Sequence, residues 1–351
     1  MLFKYIAFHY AKNMLIILVS LSLLFAGLDF LMTGTSLPSF NIQILYLFNR
    51  WQEALNLLYP LAIVFGGIWT KIAFIKKNTI SALYALGVSR VELFSPILII
   101  AMVTYLFFLA LNFTSFAMAK DIAESLKHGK YHDSASENLF FKYHDSFVYI
   151  ESLFPYENRL EGLVVFKLSQ GKVVELIRAK SASYDGSLWS ANEVTRQIKT
   201  VDANGTQRLE IEHLDAFATL EKYQPEILTS IYEQKDLTLF DSMRAKVLLE
   251  TQGIKTDKVL ANVYGKIFMP LFAIALLMIL LFRFPFHARY INIALISVKA
   301  IGVTLFVWGF LYSLQRIGSN SVLPPEVAIL LPIALLLSYA IYTLNRAKNR
   351  I

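Results

Sequence analysis

PILIIAMVTYLFFLALNFTSFAM, residues 96–118, gives way downstream to SFVYIESLF, residues 146–154. The first is an apolar run long enough to cross a membrane, where about 20 apolar residues are needed and only a helix satisfies its own backbone. The second alternates apolar and polar side chains with period two, the pattern of a strand with one buried face. A chain that makes this switch builds a membrane bundle and a β domain. Outward from this point, further apolar runs lie at Asn13 to Met32 and Ala54 to Ile75 on one side, and at Tyr264 to Phe282, Ile291 to Leu314 and Val327 to Leu344 on the other. Three spans therefore precede the insert and three follow it.

Charge assigns sides to these spans. The N-terminus (Lys4, Lys12), the connection after span two (Lys71, Lys76, Lys77, Arg90), the connection after span four (Arg283, Arg289) and the tail (Arg346, Lys348, Arg350) are basic, whereas the opposite short connections hold only Arg50 and Arg316. By the positive-inside rule both termini are cytoplasmic and the insert lies across the membrane. The net charge of +7 invites a nucleic-acid reading, but residues 119–263 hold 18 basic and 22 acidic side chains, a net of −4. The positive excess sits in the membrane part, where orientation and anionic headgroups account for it, so no nucleic-acid partner is expected. A hydrophobic content of 56% points the same way. The first span has the basic start of a signal peptide, yet it is long and lacks a small-x-small exit, and it reads as a retained helix. The chain has no cysteine, which excludes disulfides and thiolate chemistry.

Within the insert, SFVYIESLF, LEGLVVFKL, KVVELIRAKSASY, SLWSANEV and RLEIEHLDAFATL alternate, separated by turn signals at Ser169-Gln170-Gly171, Asp185-Gly186 and Asn204-Gly205. The fold class is thus an α-helical membrane protein, six transmembrane helices with an all-β, jellyroll-like periplasmic domain between helices 3 and 4. The domains run over 1–118 with a cytoplasmic helix at 78–90, 119–260 with a connecting helix at 241–252, and 261–351. Trp189 is expected to anchor the sheet core. His128, His132, His144 and His213 lack zinc-like spacing, and no metal is expected. Asn204-Gly205-Thr206, preceded by Asp202, matches a glycosylation acceptor, but an ordinary Asn-Gly hairpin turn is the favoured reading.

No G-x-x-x-x-G-K-[ST] occurs, so the chain binds no nucleotide phosphate through such a loop, and ATP, if used, is hydrolysed by a partner. The connection KKNTISALYALGVSRVELF, residues 76–94, is the one suited to receive it. Asn78 is placed to cap a short helix, Ile80, Leu83 and Tyr84 form an apolar stripe, Ala82 and Ala85 leave room for another surface, and Gly87 suits a left-handed C-terminal position.

With ALYALGVSR between spans two and three, this connection resembles the coupling helix of the lipopolysaccharide-export permeases, the LptF/LptG family. Pro60 in span two, Pro270 in span four, and Leu323 to Pro325 leading into a span with Pro332 are similar too. Asp29 at the end of span one and the L-P-P segment look closer to LptG. The resemblance implies a permease half with an ATPase-coupling helix carried by Thr79, Ala82, Leu83, Tyr84, Leu86, Gly87, Val88 and Arg90. It implies a cytoplasmic ABC ATPase dimer (LptB-like) that binds the ATP, and a second six-span permease (LptF-like). It further implies periplasmic bridge proteins (LptC/LptA-like) and a lipopolysaccharide or lipooligosaccharide cargo taken from the outer leaflet of the bacterial inner membrane. Two positions depart from the family: Thr79 stands where a Glu is usual, removing its salt bridge to the ATPase, and Ala26 stands where a basic residue is usual. No cofactor and no catalytic residue of its own are expected.

Ionisable groups at membrane depth are costly and face a cavity or a partner. Asp29, Arg50, Lys266 and Arg316 fall near the periplasmic ends of their spans, where basic groups are suited to headgroup phosphates, and they are the candidate substrate-binding residues. Lys299, deeper in span five, is expected to meet a partner subunit or an internal carbonyl. The alternative class is a membrane-anchored periplasmic sensor or envelope-assembly factor, which predicts a cytoplasmic output domain that this sequence lacks.

Overall fold

A computed structural model of the chain describes residues 1–128, 136–169, 172–201, 207–221, 223–225, 228, 237–251, 256–283 and 292–348. The turns at Gln170-Gly171 and Asn204-Gly205, together with Asn204 as a glycosylation acceptor, His132, Arg289 and Arg350, lie outside the described residues. Two units emerge, residues 1–123 with 257–351, and residues 124–256.

The first unit is the helical one. Its elements are α1 (Leu2–Met32), α2 (Phe40–Lys76), the short α3 (Thr79–Ala85) and α4 (Arg90–Leu111), followed after the insert by α7 (Asp257–Ile267), α8 (Leu271–Arg283), α9 (Ile293–Ser319) and α10 (Leu331–Lys348). Six spans result, with α7 and α8 together forming the fourth and a π-helical turn, Glu326–Leu330, opening the sixth. Several helices outrun the apolar runs that announced them, because amphipathic ends continue a helix past the membrane core. Lys71, counted above in a cytoplasmic connection, lies inside α2 at 2% exposure.

The third span stops at Leu111 rather than Met118. Asn112 ends it, donating from Nδ2 to Phe108 O at 2.9 Å and exchanging amide bonds with Asn56 at 3.0 and 3.2 Å; a 3-10 turn, Ser115–Met118, follows. The fourth span breaks at Phe268 to Pro270, since proline has no N–H and clashes with the preceding turn. Leu271 N–H turns back to Phe268 O, and the Ile267 carbonyl accepts instead from Tyr105 Oη at 2.8 Å. The first two spans are held by close backbone approach and polar pairs, the usual adhesives of helices in lipid. Tyr10 Oη donates to Ile63 O, Asn13 to Thr70, and Trp51 Nε1 to Ser22 Oγ.

The second unit is built on a β-sheet, as expected. Strands β1 (Ser136–Tyr143), β2 (Ser146–Phe154), β3 (Arg159–Ser169), β4 (Lys172–Tyr184), β5 (Trp189–Val201) and β6 (Gln207–Thr219) form one antiparallel sheet in sequential order. Helix α5 (Ala119–Lys127) precedes them and α6 (Leu239–Thr251) follows. Alternation is interrupted along one line across the sheet. Buried residues step by three rather than two at Ser136/Leu139, Ile150/Leu153, Leu160/Leu163, Ala179/Ala182 and Ala191/Val194. The residues between them include Asn138, Gly162 and Glu193, all with left-handed backbone on alternate strands. This row creases the sheet, so that side chains on both sides of it face one interior. Gly162 is obligatory there: a Cβ would stand 2.5 Å from that of Glu151.

A charge ladder ties four strands. Lys167 on β3 and Glu175 on β4 stand opposite each other at 3.1 Å, Arg196 on β5 bonds Glu175 at 2.6 Å, and Glu212 on β6 meets Arg196 at 3.3 Å. Burial pushes the Glu175 carboxyl up, but Arg196 and Lys167 outweigh it and hold the group below the ordinary carboxylate range. A lowered pKa stabilises the fold above the ordinary carboxylate range, and that contribution fades as pH falls through the lowered value. Glu175→Gln should cost about 1 kcal/mol at neutral pH, because its partners are partly exposed and screened, and flatten the acid limb of the stability curve. Thermal unfolding of the full chain between pH 3 and 7, followed by proteolysis of the insert, measures both.

Candidate functional site

Two places on the helical unit carry the candidate residues. At one end, α2 reverses through Asn78, whose left-handed backbone (φ 56°) makes the turn. Asn78 does occupy the residue before α3, but its side chain makes no capping bond, contrary to expectation. Asn tolerates the left-handed region, and the backbone geometry of the turn, rather than the amide, is what is used here. Ile80 is fully buried, and Leu83, Tyr84 and Val88 pack against the same core as α2 and α4.

The C-terminus of α3 is fixed as tightly. Gly87 adopts φ +80°, its N–H bonds Tyr84 O at 3.0 Å, and the Val88 N–H reaches back to Leu83 O at 3.1 Å. These are the two bonds of a Schellman motif, with Val88 and Leu83 both against the core. Ser89 then opens α4 with a reciprocal capping box: its Oγ accepts from Glu92 N–H, and its own N–H donates to Glu92 Oε2. Burial pushes the Tyr84 phenol up to about 12, with nearby Arg90 pulling it down by less. The hydroxyl stays neutral.

The eight coupling candidates thus divide. Leu83, Tyr84 and Val88 anchor α3, while Thr79 and Arg90 are half-buried at its two flanks. Ala82, Leu86 and Gly87 are exposed, Leu86 at 79%. What α3 offers to another surface is a small-residue face with a single leucine projecting from it.

At the other end of α2, roughly 40 Å away by helix rise, Asp29 of α1 and Arg50 of α2 are brought together. Arg50 Nε lies 3.1 Å from Asp29 Oδ2, and Arg50 Nη1 bonds Glu53 Oε2 at 2.6 Å. Tyr46 Oη donates to Asp29 Oδ2 at 2.5 Å and accepts from Arg50 Nε at 3.2 Å. Tyr46 and Glu53 were missed in the sequence, although Tyr46, Arg50 and Glu53 recur at i, i+4, i+7, the spacing of one helix face. Between two carboxylates, Arg50 has its charge compensated.

Lys266 and Arg316 stand apart from that group, on α7 and α9. Each follows a residue of one close contact, because a Cβ on Gly265 would lie 2.0 Å from Gln315 Nε2. Arg316 is exposed and stacks over Tyr312, donating from Nη2 to its hydroxyl at 2.8 Å. Lys299 is exposed on α9, so its expected internal carbonyl is not what it meets. Lys71 does meet internal carbonyls, those of Leu280 and Leu281.

Residues 4–346 match the family described as Lipopolysaccharide export system permease LptF/LptG. No curated protein matches the chain.

Proposed function

We propose, from the premise that the chain belongs to the lipopolysaccharide export permease family LptF/LptG, that it is the LptG-like half of a glycolipid extractor driven by a separate ATPase. Family and six apolar helices make it a multi-pass protein of the inner membrane and a permease of the lipopolysaccharide export system. In our reading both termini and α3 are cytoplasmic, as Lys76 and Lys77 beside α3 favour, and the β unit is periplasmic. A second six-span permease completes the membrane part, and an ABC ATPase dimer docks on α3. Closure of the two halves as rigid bodies then moves a lipopolysaccharide or lipooligosaccharide from the outer leaflet to the β unit and on to periplasmic bridge proteins. Arg316, exposed and uncompensated by the Asp29 group, is the favoured contact for a headgroup phosphate.

The observation that carries this reading is the construction of α3. A seven-residue helix buried along one side, locked at its C-terminus and capped into α4, is a rigid lever rather than a floating interfacial helix. Leu86 is the residue to change, because it is exposed and leaves the core untouched; Leu83→Asp would damage the anchor. Leu86→Asp should reduce recovery of the ATPase on the tagged permease about tenfold or more, the effect of losing an interface anchor, with the chain still inserted and its insert intact. Unchanged ATPase recovery and unchanged export in that variant would contradict the docking role.

A further inference from the structure

Lys71 has no part in the reading above, yet it is a lysine buried inside the bundle. It is 2% exposed, near the end of α2, and its Nζ donates to Leu281 O at 2.6 Å and Leu280 O at 3.3 Å. Those carbonyls belong to the last turn of α8, where a helix leaves its acceptors without internal partners and its dipole favours a cation. The ammonium also stands 5.2 Å from the centroid of the Phe94 ring of α4. Phe94 in turn meets Phe282 of α8 edge to face at 5.7 Å.

A methionine would fill the same stem at far less desolvation cost, so the amine supplies something that packing does not, hydrogen bonds to the Leu280 and Leu281 carbonyls. What it supplies is a directional bond between halves of the chain. α2 leads into α3 through Lys77 and Asn78 alone, and Ile80 of α3 is buried in the cluster that holds Phe74, Phe94, Leu281 and Phe282. α8 packs onward against α10. A continuous path therefore runs from α3 through α2 and Lys71 to α8 and α10 of the fourth and sixth spans.

We infer that Lys71 is a positioning residue that fastens α8 and α10 to the lever, so that a push on α3 moves both halves of this chain as one body. This rests on the docking reading of α3. The chain has no cysteine, so exposed Lys77→Cys at the end of α2 and exposed Arg346→Cys on α10 give a single spin-label pair within it. In the assembled complex, with the ATPase present, the distance between them should be the same before and after trapping with ADP and vanadate. Lys71→Met should make that distance nucleotide-dependent and lower glycolipid extracted per ATP about tenfold, within the range of known coupling energies, while ATP turnover continues. Lys71→Arg, which keeps the N–H donors, should restore both.

A distance that changes on trapping in the protein with Lys71 intact overturns the inference without any substitution of that residue. So does Lys71→Met with wild-type extraction per ATP and an unchanged distance. Leu86→Asp separates this from the docking reading. If that variant still captures the ATPase, docking is elsewhere and the inference falls with it; if it loses the ATPase while Lys71→Met behaves as wild type, only the role of Lys71 fails.

Discussion

Trp189→Ala should cost the insert about 3–5 kcal/mol, the largest loss available from one side chain in the β unit. Trp189 begins β5 immediately after the Asp185-Gly186 turn, is fully buried, and donates from Nε1 to Tyr223 O at 2.7 Å. Tyr223 is itself buried and stacks on Phe141 of β1, so the indole joins the far side of the sheet to the segment after β6. Truncation removes the largest fully buried side chain among the described residues and, with it, the indole donor to that carbonyl. Thermal unfolding of the full chain in detergent, followed by proteolysis within residues 124–256, should show the insert melting on the order of 10 °C earlier. Trp189→Phe keeps most of the volume and should recover more than half of the loss. Melting at the wild-type temperature in Trp189→Ala would mean that the core of the insert lies elsewhere.

Gly66→Leu is the matching expectation for the helical unit. A Cβ at Gly66 would lie 2.8 Å from Met14 Cα, a backbone atom of α1, so the clash is relieved only by moving the helix. Overpacking of this kind costs about 1–3 kcal/mol. Here it also threatens the Tyr10, Asn13 and Trp51 hydrogen bonds that depend on the same approach. The variant should lose stability in detergent and accumulate poorly in the membrane. Gly302→Ala and Gly309→Ala on α9 are the controls, since nothing lies within 4 Å of a Cβ at either position. Both should be silent or slightly stabilising, by about 0.5–1 kcal/mol. If Gly66→Leu is as silent as they are, α1 and α2 do not pack as described.

The contrast between these positions shows what a linear reading reaches. The six spans and the β-sheet insert are legible because hydropathy and period-two alternation are local properties, and Gly87 is legible because a left-handed helix end is also local. The crease at Asn138, Gly162 and Glu193 is not: each strand merely skips one step, and the row appears only when five strands are set side by side. Lys71 was misplaced because a basic residue near the end of an apolar run counts as a loop charge until its acceptors, more than two hundred residues away, are known. Arg50 was legible as a membrane-edge cation, but its compensation by Asp29 and Glu53 depends on α1 meeting α2. Site residues therefore split by the range of the information that defines them. The α3 lever is built almost wholly from neighbours in sequence, and the charge pairing at the far end is not.

We propose that this chain extracts a lipid A-containing glycolipid with force delivered by a separate ATPase. Purification of the tagged chain in mild detergent, with mass spectrometry of both the proteins and the lipid that accompany it, tests this most directly. The expected result is recovery of an ABC-type ATPase, a second six-span permease and a lipid A-containing glycolipid. Recovery of the chain alone, with ordinary phospholipid, would contradict it.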